Sequence, residues 1–193
     1  TVEGQGLAQR RWEPFATERV RYVGQPIAVV VAATRRAAED AAELAVPDIE
    51  PIEAVTSIDK ALAPDAPRLY ADIHDNVLFA MSNEVGSPDA AFEKADVVLE
   101  RRFSYGRQTP FPLEGRGAIA EVVDGRLQLT TSTQIPHIVR QVVAGCLGRR
   151  QDSVRVITPD VGGGFGLKLQ VFGEEVIVAA LAEALRRPIK WIE

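Results

Sequence analysis

A cluster of glycines at residues 162–166 is the part of the sequence best suited to binding chemistry, with four of the chain's 15 glycines in five positions. It follows a β-branched segment, 153–158, that is typical of a strand, and it precedes a helix expected to begin near Phe172. Glycine has no side chain and tolerates φ > 0, so this arrangement brings backbone N–H groups close to an anionic or polar ligand. We therefore interpret residues 161–168, the glycine loop, as a ligand-binding loop.

Two nucleotide-binding patterns do not fit the glycine loop. A dinucleotide fingerprint that starts at Gly162 needs a glycine where Leu167 stands. A P-loop needs Ser or Thr after its lysine, but Lys168 is followed by Leu169. A tight turn without a ligand stays open as an alternative, although a large apolar residue such as Phe165 inside the loop indicates that the loop packs against something.

Composition limits the classes of function. The chain has 193 residues, is 46% hydrophobic and carries a net charge of −5, which disfavours nucleic acid or an anionic membrane surface as a partner. No apolar run approaches the roughly 20 residues of a membrane span. Cys146 is the single cysteine, so an internal disulfide and an iron–sulfur site within this chain are excluded. Without a signal-peptide core at the start, we expect a cytoplasmic protein.

The loop and four other segments, in this order and spacing, resemble the molybdenum-binding large subunit of the xanthine oxidase and aldehyde oxidase family. The resemblance covers nearly the whole chain. The loop segment matches the pterin-contacting segment of that family. The five segments are 22–30 (YVGQPIAVV), 112–118 (PLEGRGA), 132–137 (STQIPH), 159–168 (PDVGGGFGLK) and 187–193 (RPIKWIE).

The predicted fold is mixed α/β with two domains. Residues 1–70 are expected to form part of a hammerhead domain, and 71–193 the first part of a molybdopterin-binding domain. Because the chain has no initiator methionine and 189–193 still has the pattern of a strand, we expect a piece of a longer polypeptide. The predicted helices are 35–45, 87–94, 136–147 and 174–187; the predicted strands are 27–33, 49–57, 96–105, 118–123, 126–131, 153–158 and 189–193, with a proline-rich linker at 61–76.

Two details of these elements can be checked directly. The dipeptide Asp124-Gly125 between two strands predicts a two-residue hairpin turn. In the helix 136–147, the spacing of Ile138, Val142 and Cys146 predicts that these three side chains face the core.

The resemblance implies a molybdenum–molybdopterin cofactor and a hydroxylase that oxidises an aldehyde or an N-heterocycle with water as the oxygen source. It also implies separate partners that carry iron–sulfur clusters and FAD. The general base of the family, a glutamate, is expected beyond Glu193. A non-catalytic module for cofactor assembly or subunit interaction is the alternative function.

The resemblance also implies roles for residues of the site. Gln134 matches the glutamine that donates to the apical ligand of molybdenum, and its alternative is a glutamine that satisfies backbone groups at a strand end. Phe165 matches the position whose main chain reaches the metal centre while its ring lines the substrate channel, against a core aromatic as the alternative. Both belong to the outer shell of the metal. Gly163, Gly164 and Gly166 are expected to bind the cofactor through the backbone.

Four further residues have roles that the sequence leaves open or explains in another way. Lys168 faces either a phosphate group or solvent. Glu114 and Arg116 are predicted to form an ion pair with each other. Leu169 stands where the purine-oxidising members have a glutamate, so xanthine is a doubtful substrate.

Overall fold

The computed structural model describes residues 2–5, 13–73 and 75–193 of the chain. It contains two compact units, one made of residues 2–5, 29–73 and 75–105 and the other of 13–28 and 106–193. Among these residues, no helix has both the length and the apolar character needed to cross a bilayer. The mixture of helices and strands confirms the predicted α/β class.

The first unit contains a small two-stranded antiparallel sheet and three helices. Two of the helices have an N-cap side chain. Thr34 Oγ1 accepts from the N–H of Ala37 at 3.2 Å, and Ser57 Oγ accepts from the N–H of Lys60 at 3.1 Å. The elements are β1 (Val2–Gln5), paired with β2 (Ala80–Asn83), and the helices α1 (Arg35–Ala42), α2 (Ile58–Leu62) and α3 (Pro88–Glu93).

Three predicted strands, 27–33, 49–57 and 96–105, are wrong: the structure has no strand at these residues. Most of their large apolar side chains are exposed, as at Leu99, which is 76% exposed. A strand is stabilised by ladder hydrogen bonds and by a face packed against a neighbour. Within the described residues, none of these segments has a ladder partner, so their β-rich composition alone does not produce strands.

The side chain of Asn76 makes three hydrogen bonds to the backbone of the proline-rich segment 61–76. Asn76 Oδ1 accepts from the N–H of Leu69 at 2.9 Å, and Asn76 Nδ2 donates to the carbonyls of Ala61 at 3.1 Å and Pro67 at 3.2 Å. These three bonds replace the ladder or helix bonds that the segment lacks. The segment expected to be a linker is therefore tied to itself at its centre and at both ends.

The second unit is built on a four-stranded mixed sheet in the order β5-β4-β3-β6. β3 pairs antiparallel with both β4 and β6, whereas β4 and β5 are parallel and are joined through α4. The elements are β3 (Gly117–Val123), β4 (Arg126–Thr131), α4 (Pro136–Cys146), a short 3₁₀ turn (Gln151–Ser153), β5 (Val154–Ile157), α5 (Gly173–Leu185) and β6 (Ile189–Ile192).

The hairpin turn between β3 and β4 is confirmed. Asp124 and Gly125 have φ of 49° and 76°, the left-handed values that a two-residue turn of this kind requires at both positions. The turn fixes the register that pairs Val123 with Arg126 and Ala118 with Thr131.

The core of the second unit lies between the sheet and the helices α4 and α5. Leu127 and Leu129 of β4 are fully buried, and the helices contribute small and β-branched side chains that permit close packing. The buried cluster comprises Ala118, Ala120, Leu127, Leu129, Val139, Val143, Ala144, Val154, Val176, Val178, Ala179 and Ala182.

The helix α4 is confirmed, and Val142 packs against the core as predicted, but the prediction that Ile138 and Cys146 face the core is wrong. Val139, Val143 and Ala144 are buried, whereas Ile138 is 50% exposed and Cys146 is also exposed. Apolar residues occupy two adjacent stripes of this helix at the same spacing of four. Periodicity alone does not distinguish these stripes, and contact with the sheet selects the stripe one residue further along.

We predict that Asn76→Ala accelerates proteolytic cleavage within 61–76 of the full-length protein by about tenfold. The variant loses three hydrogen bonds of roughly 0.5–1.5 kcal/mol each, and cleavage follows the population of the opened segment. Asn83→Ala, an exposed asparagine in β2, is the matched control. Equal cleavage rates in the two variants, followed by mass spectrometry, would show that Asn76 does not hold this segment.

Candidate functional site

The glycine loop links β5 to α5 in an unusual backbone conformation. Gly163, Phe165 and Gly166 have φ of 97°, 49° and 88°, while Gly164 between them is not in the positive region. Phe165 is a non-glycine residue in the left-handed region, which costs roughly 1–2 kcal/mol. Changes of backbone handedness between successive residues turn neighbouring N–H groups toward a common point and create concavities that bind anions.

Three successive N–H groups of the loop are available to a ligand. Those of Gly163, Gly164 and Phe165 have no acceptor among the residues that the structure describes. Gly164 is moreover a buried residue. A buried N–H without a partner costs roughly 1–3 kcal/mol, so such groups usually have an acceptor. The loop therefore offers donors that the described chain itself does not use.

The N–H groups on either side of these donors are used within the chain. Gly162 donates to Glu114 Oε2 at 2.8 Å, and Gly166 donates to Gln134 Oε1 at 3.3 Å. The sequence assigned Gly166 to the cofactor, but in this structure its N–H is given to Gln134. The three successive open donors thus lie between two N–H groups that the chain itself uses.

Gln134 lies directly across Gly164. A Cβ on Gly164 would stand 2.5 Å from Gln134 Oε1 and 2.7 Å from Gln134 Cδ, so a side chain there would require Gln134 to move. Within the described part of the chain, Gln134 Nε2 has no acceptor. The structure therefore brings Gln134 and the loop together and leaves the amide with a free donor. Glycine at position 164 lets this amide approach the backbone closely, whereas its φ does not require glycine.

Phe165 is exposed and is not a core aromatic. Its side chain is 76% exposed. The Phe165 ring and the Pro112 side chain both approach Gly163, at 3.0 and 3.1 Å from the position that a Cβ on Gly163 would take. The ring folds back over the loop, so Pro112 and Phe165 limit the space on either side of Gly163.

Lys168 does not face solvent, one of the two possibilities that the sequence left open, and its ammonium already has partners within the chain. Its side chain is 1% exposed, and Nζ donates to Glu114 Oε2 at 2.6 Å and to the Glu114 carbonyl at 3.0 Å. The Lys168 ammonium, followed by the Ser132 hydroxyl and the Gly162 N–H, lowers the pKa of Glu114 to about 2. The carboxylate is therefore ionised at neutral pH.

The ion pair predicted between Glu114 and Arg116 is wrong. Arg116 Nη2 donates instead to Glu193 at 2.7 Å and to Glu174 at 3.3 Å. The cause is the pairing of β3 with β6, which sets Glu193 beside Arg116, while Lys168 occupies the carboxylate of Glu114.

Arg116 joins the start of β3 to the start of α5 and the end of β6. Its guanidinium lies 3.8 Å from the ring centre of Phe172 and 5.2 Å from that of Trp191, distances at which cation–π attraction is effective. Glu174 accepts from this guanidinium. Glu174 lies in the first turn of α5, where the positive end of the helix dipole favours a carboxylate.

The sequence reasoning missed the role of Glu114 at the site. Its partners Ser132, Gly162 and Lys168 are 18, 48 and 54 residues away along the chain, so no local charge pattern reveals them. The described residues contain no group of three or more His, Cys, Asp or Glu placed to hold a metal ion. The candidate site therefore consists of backbone donors, one amide and the contacts that position them.

Two family models match the chain. Residues 69–193 match the molybdopterin cofactor-binding domain, and residues 2–53 match the a/b hammerhead domain of aldehyde oxidase and xanthine dehydrogenase. The first match covers well over half of the chain and includes every residue of the candidate site.

Relatives and solved structures agree with these models. The nicotine 6-hydroxylase large subunit of Paenarthrobacter nicotinovorans is 38% identical over 93% of this chain and 22% of its own length. The carbon monoxide dehydrogenase large chain of Afipia carboxidovorans is 37% identical over 93% of this chain and 24% of its own length. The crystal structure of quinoline 2-oxidoreductase from Pseudomonas putida 86 superposes with a TM-score of 0.87 at 36% identity, over 100% of this chain and 25% of that one. The chain thus spans about a quarter or less of the length of these relatives.

We predict that Gly164→Ala destabilises the full-length protein by about 1 kcal/mol, the low end of the cost of overpacking, because the new methyl group displaces the exposed Gln134 side chain. In a Gln134→Ala background the same substitution costs much less, since the amide is gone. Denaturant unfolding of the four proteins measures this coupling. Gly145→Ala, where an added Cβ meets no atom within 4 Å, is the control. An equal cost of Gly164→Ala in both backgrounds would show that Gln134 does not restrict this position.

We also predict that stability falls in acid because of Glu114. Its pKa is 4.5 in the unfolded chain and about 2 in the folded protein, so between these values the unfolded state binds more protons. The stabilisation is complete above pH 4.5 and is lost as the pH falls toward 2. Glu114→Gln should therefore show a shallower loss of unfolding free energy over this range.

The pKa of Glu175 is shifted in the direction opposite to that of Glu114. Burial raises the pKa of Glu175, so its contribution is most favourable at low pH and declines as the pH rises above 4.5. Glu175→Gln should remove that decline and leave the acid loss unchanged. An unchanged acid slope in Glu114→Gln, measured by unfolding at several pH values, would contradict the assignment to Glu114.

Proposed function

The chain belongs to the family of molybdopterin cofactor-binding proteins that includes aldehyde oxidase and xanthine dehydrogenase, and on this premise we propose that it is part of a molybdenum hydroxylase large subunit. The proposed reaction is oxidation of an aldehyde or an N-heterocycle with water as the source of oxygen. The observation that carries the proposal is the row of N–H groups at Gly163, Gly164 and Phe165 that has no acceptor in the described chain.

The residues present fit a molybdenum–molybdopterin cofactor. Such a group is anionic and rich in acceptor atoms, and the centre of the glycine loop supplies donors without adding a side chain. Gln134 adds a neutral amide donor, which can bind an oxygen ligand without adding charge beside an anionic centre. The fit depends on the close approach of the backbone, since a Cβ on Gly164 would overlap Gln134 and one on Gly163 would crowd Phe165 and Pro112.

The protein's part in the proposed reaction is binding and orientation. When bound, the cofactor supplies the redox chemistry. Gly163, Gly164 and Phe165 hold it through their N–H groups, and Gln134 directs Nε2 at its polar atoms. The exposed ring of Phe165 borders the loop and restricts the approach of a substrate. The proton acceptor of the reaction is proposed to be a glutamate beyond Glu193.

The substrate is proposed to be small and without a purine-specific polar contact in this region. Leu169 directly follows the loop and is 57% exposed, so it offers an apolar surface where a carboxylate would bind a purine. Relatives named for their action on nicotine and quinoline support an N-heterocycle as one substrate class.

The partners and the domain boundary belong to the same proposal. Relatives are named as the large subunit, the large chain or a subunit of a dehydrogenase complex, which supports a multi-subunit enzyme. We propose that iron–sulfur and FAD subunits accept the electrons, in the cytoplasm. A domain boundary near residue 70 is supported by the two family matches, which leave 54–68 between them.

We predict that Gln134→Ala in the full-length protein, purified with its partner subunits, lowers turnover of an aldehyde or N-heterocycle by about 10–100-fold. The reason is that the variant removes a hydrogen bond from the surroundings of the metal while changing an exposed side chain. Thermal unfolding should shift little. Molybdenum and pterin content, turnover and melting temperature are the measurements.

The control for this experiment is Gln170→Ala, a second exposed glutamine close to the loop. It should match the wild type in all three measurements. Absence of molybdenum and pterin from the wild-type complex would overturn the proposed function and favour a non-catalytic assembly or interaction module. Normal turnover in Gln134→Ala would refute the role of this amide alone.

A further inference from the structure

The Glu114 carboxylate lies at a point where three separate parts of the site meet. Its Oε2 atom accepts from Lys168 Nζ at 2.6 Å, from Ser132 Oγ at 2.6 Å and from the Gly162 N–H at 2.8 Å. Gly162 and Lys168 stand near the two ends of the glycine loop. One oxygen atom therefore fastens both ends of the loop.

Gln134 is connected to the same point through the backbone of Lys168. The Gln134 N–H donates to the Lys168 carbonyl at 3.0 Å, and Thr133 Oγ1 donates to that carbonyl at 3.4 Å. Lys168 thus holds Glu114 with its side chain and the segment of Gln134 with its main chain. A displacement of Lys168 moves the open N–H groups and the amide relative to each other.

We propose that Glu114 and Lys168 are positioning residues: their buried ion pair closes the glycine loop and fixes the N–H groups of Gly163 to Phe165 and the Gln134 amide in a geometry ready for a polar cofactor. The inference rests on the proposed function and adds two residues to it. Glu114 and Lys168 act through the loop, and neither is expected to touch the cofactor, because each is occupied by the other.

The two members of the pair differ in burial, which predicts an asymmetry. The Lys168 side chain is 1% exposed, whereas that of Glu114 is 37% exposed. Removing Glu114 leaves a buried ammonium without its counter-charge, a strongly unfavourable state. Removing Lys168 leaves a carboxylate that water still reaches. Replacing both residues by apolar residues of similar length leaves no unpaired buried charge, but it also removes the contacts that hold the two ends of the loop.

The experiment compares Glu114→Met, Lys168→Met and the double variant in the full-length protein with its partner subunits. Arg150→Met is the control, since Arg150 and Asp152 form an exposed ion pair outside the loop. The readouts are melting temperature, molybdenum and pterin content per protein, and hydrogen exchange of peptides covering 162–168 in protein stripped of cofactor.

We expect the melting temperature to fall most in Glu114→Met, less in Lys168→Met, and to return close to the wild-type value in the double variant. Cofactor content should nevertheless stay about tenfold or more below wild type in the double variant, and its loop should exchange faster. The control should match the wild type throughout.

Recovery of both cofactor content and loop protection together with the melting temperature would show that the pair only stabilises the fold, and would overturn the inference. If Glu114→Met does not fold, Lys168→Met and the double variant decide the question by the same readouts. If the wild-type protein contains no molybdenum or pterin, the proposed function fails, and loop exchange still tests the fastening: unchanged exchange in the double variant would overturn it.

Discussion

The candidate site depends on an ammonium group that has been taken out of water. Lys168 is 1% exposed, and a charge in that position requires a counter-charge and a full set of acceptors. Glu114 supplies both a carboxylate and a carbonyl, and the same carboxylate accepts from the glycine loop and from Ser132. The buried Lys168 ammonium thus brings together Glu114, Ser132 and the glycine loop, which come from three separate segments of the chain.

The sheet and helices that carry these segments follow from local rules. The Asp124-Gly125 turn and the starts of α3, α4 and α5 all lie within a residue of where the sequence predicts them. Each of these signals acts over a few residues, through φ preferences and unsatisfied N–H groups. Such signals predict local structure correctly because they do not depend on contacts with distant segments.

The features that the sequence did not predict depend on partners elsewhere in the chain. Segments 27–33, 49–57 and 96–105 have the composition of strands, but a strand also needs a neighbour, and composition carries no information about one. In α4, two apolar stripes compete, and the sheet decides between them. The same holds at the site: the loop is recognisable from its glycines, whereas the partner of Lys168 lies 54 residues away and the partner of Arg116 lies 77 residues away.

These long separations determine the order in which the site is assembled during synthesis. Hydrogen bonds within a helix or hairpin form as soon as their few residues are available, whereas contacts between distant segments require closure of long loops and form later. The ion pair between Lys168 and Glu114 forms only after both residues have left the ribosome, and β3 pairs with β6 only after β6 has been synthesised. The fastening of the glycine loop by Glu114 therefore forms after the neighbouring helices and the β3–β4 hairpin.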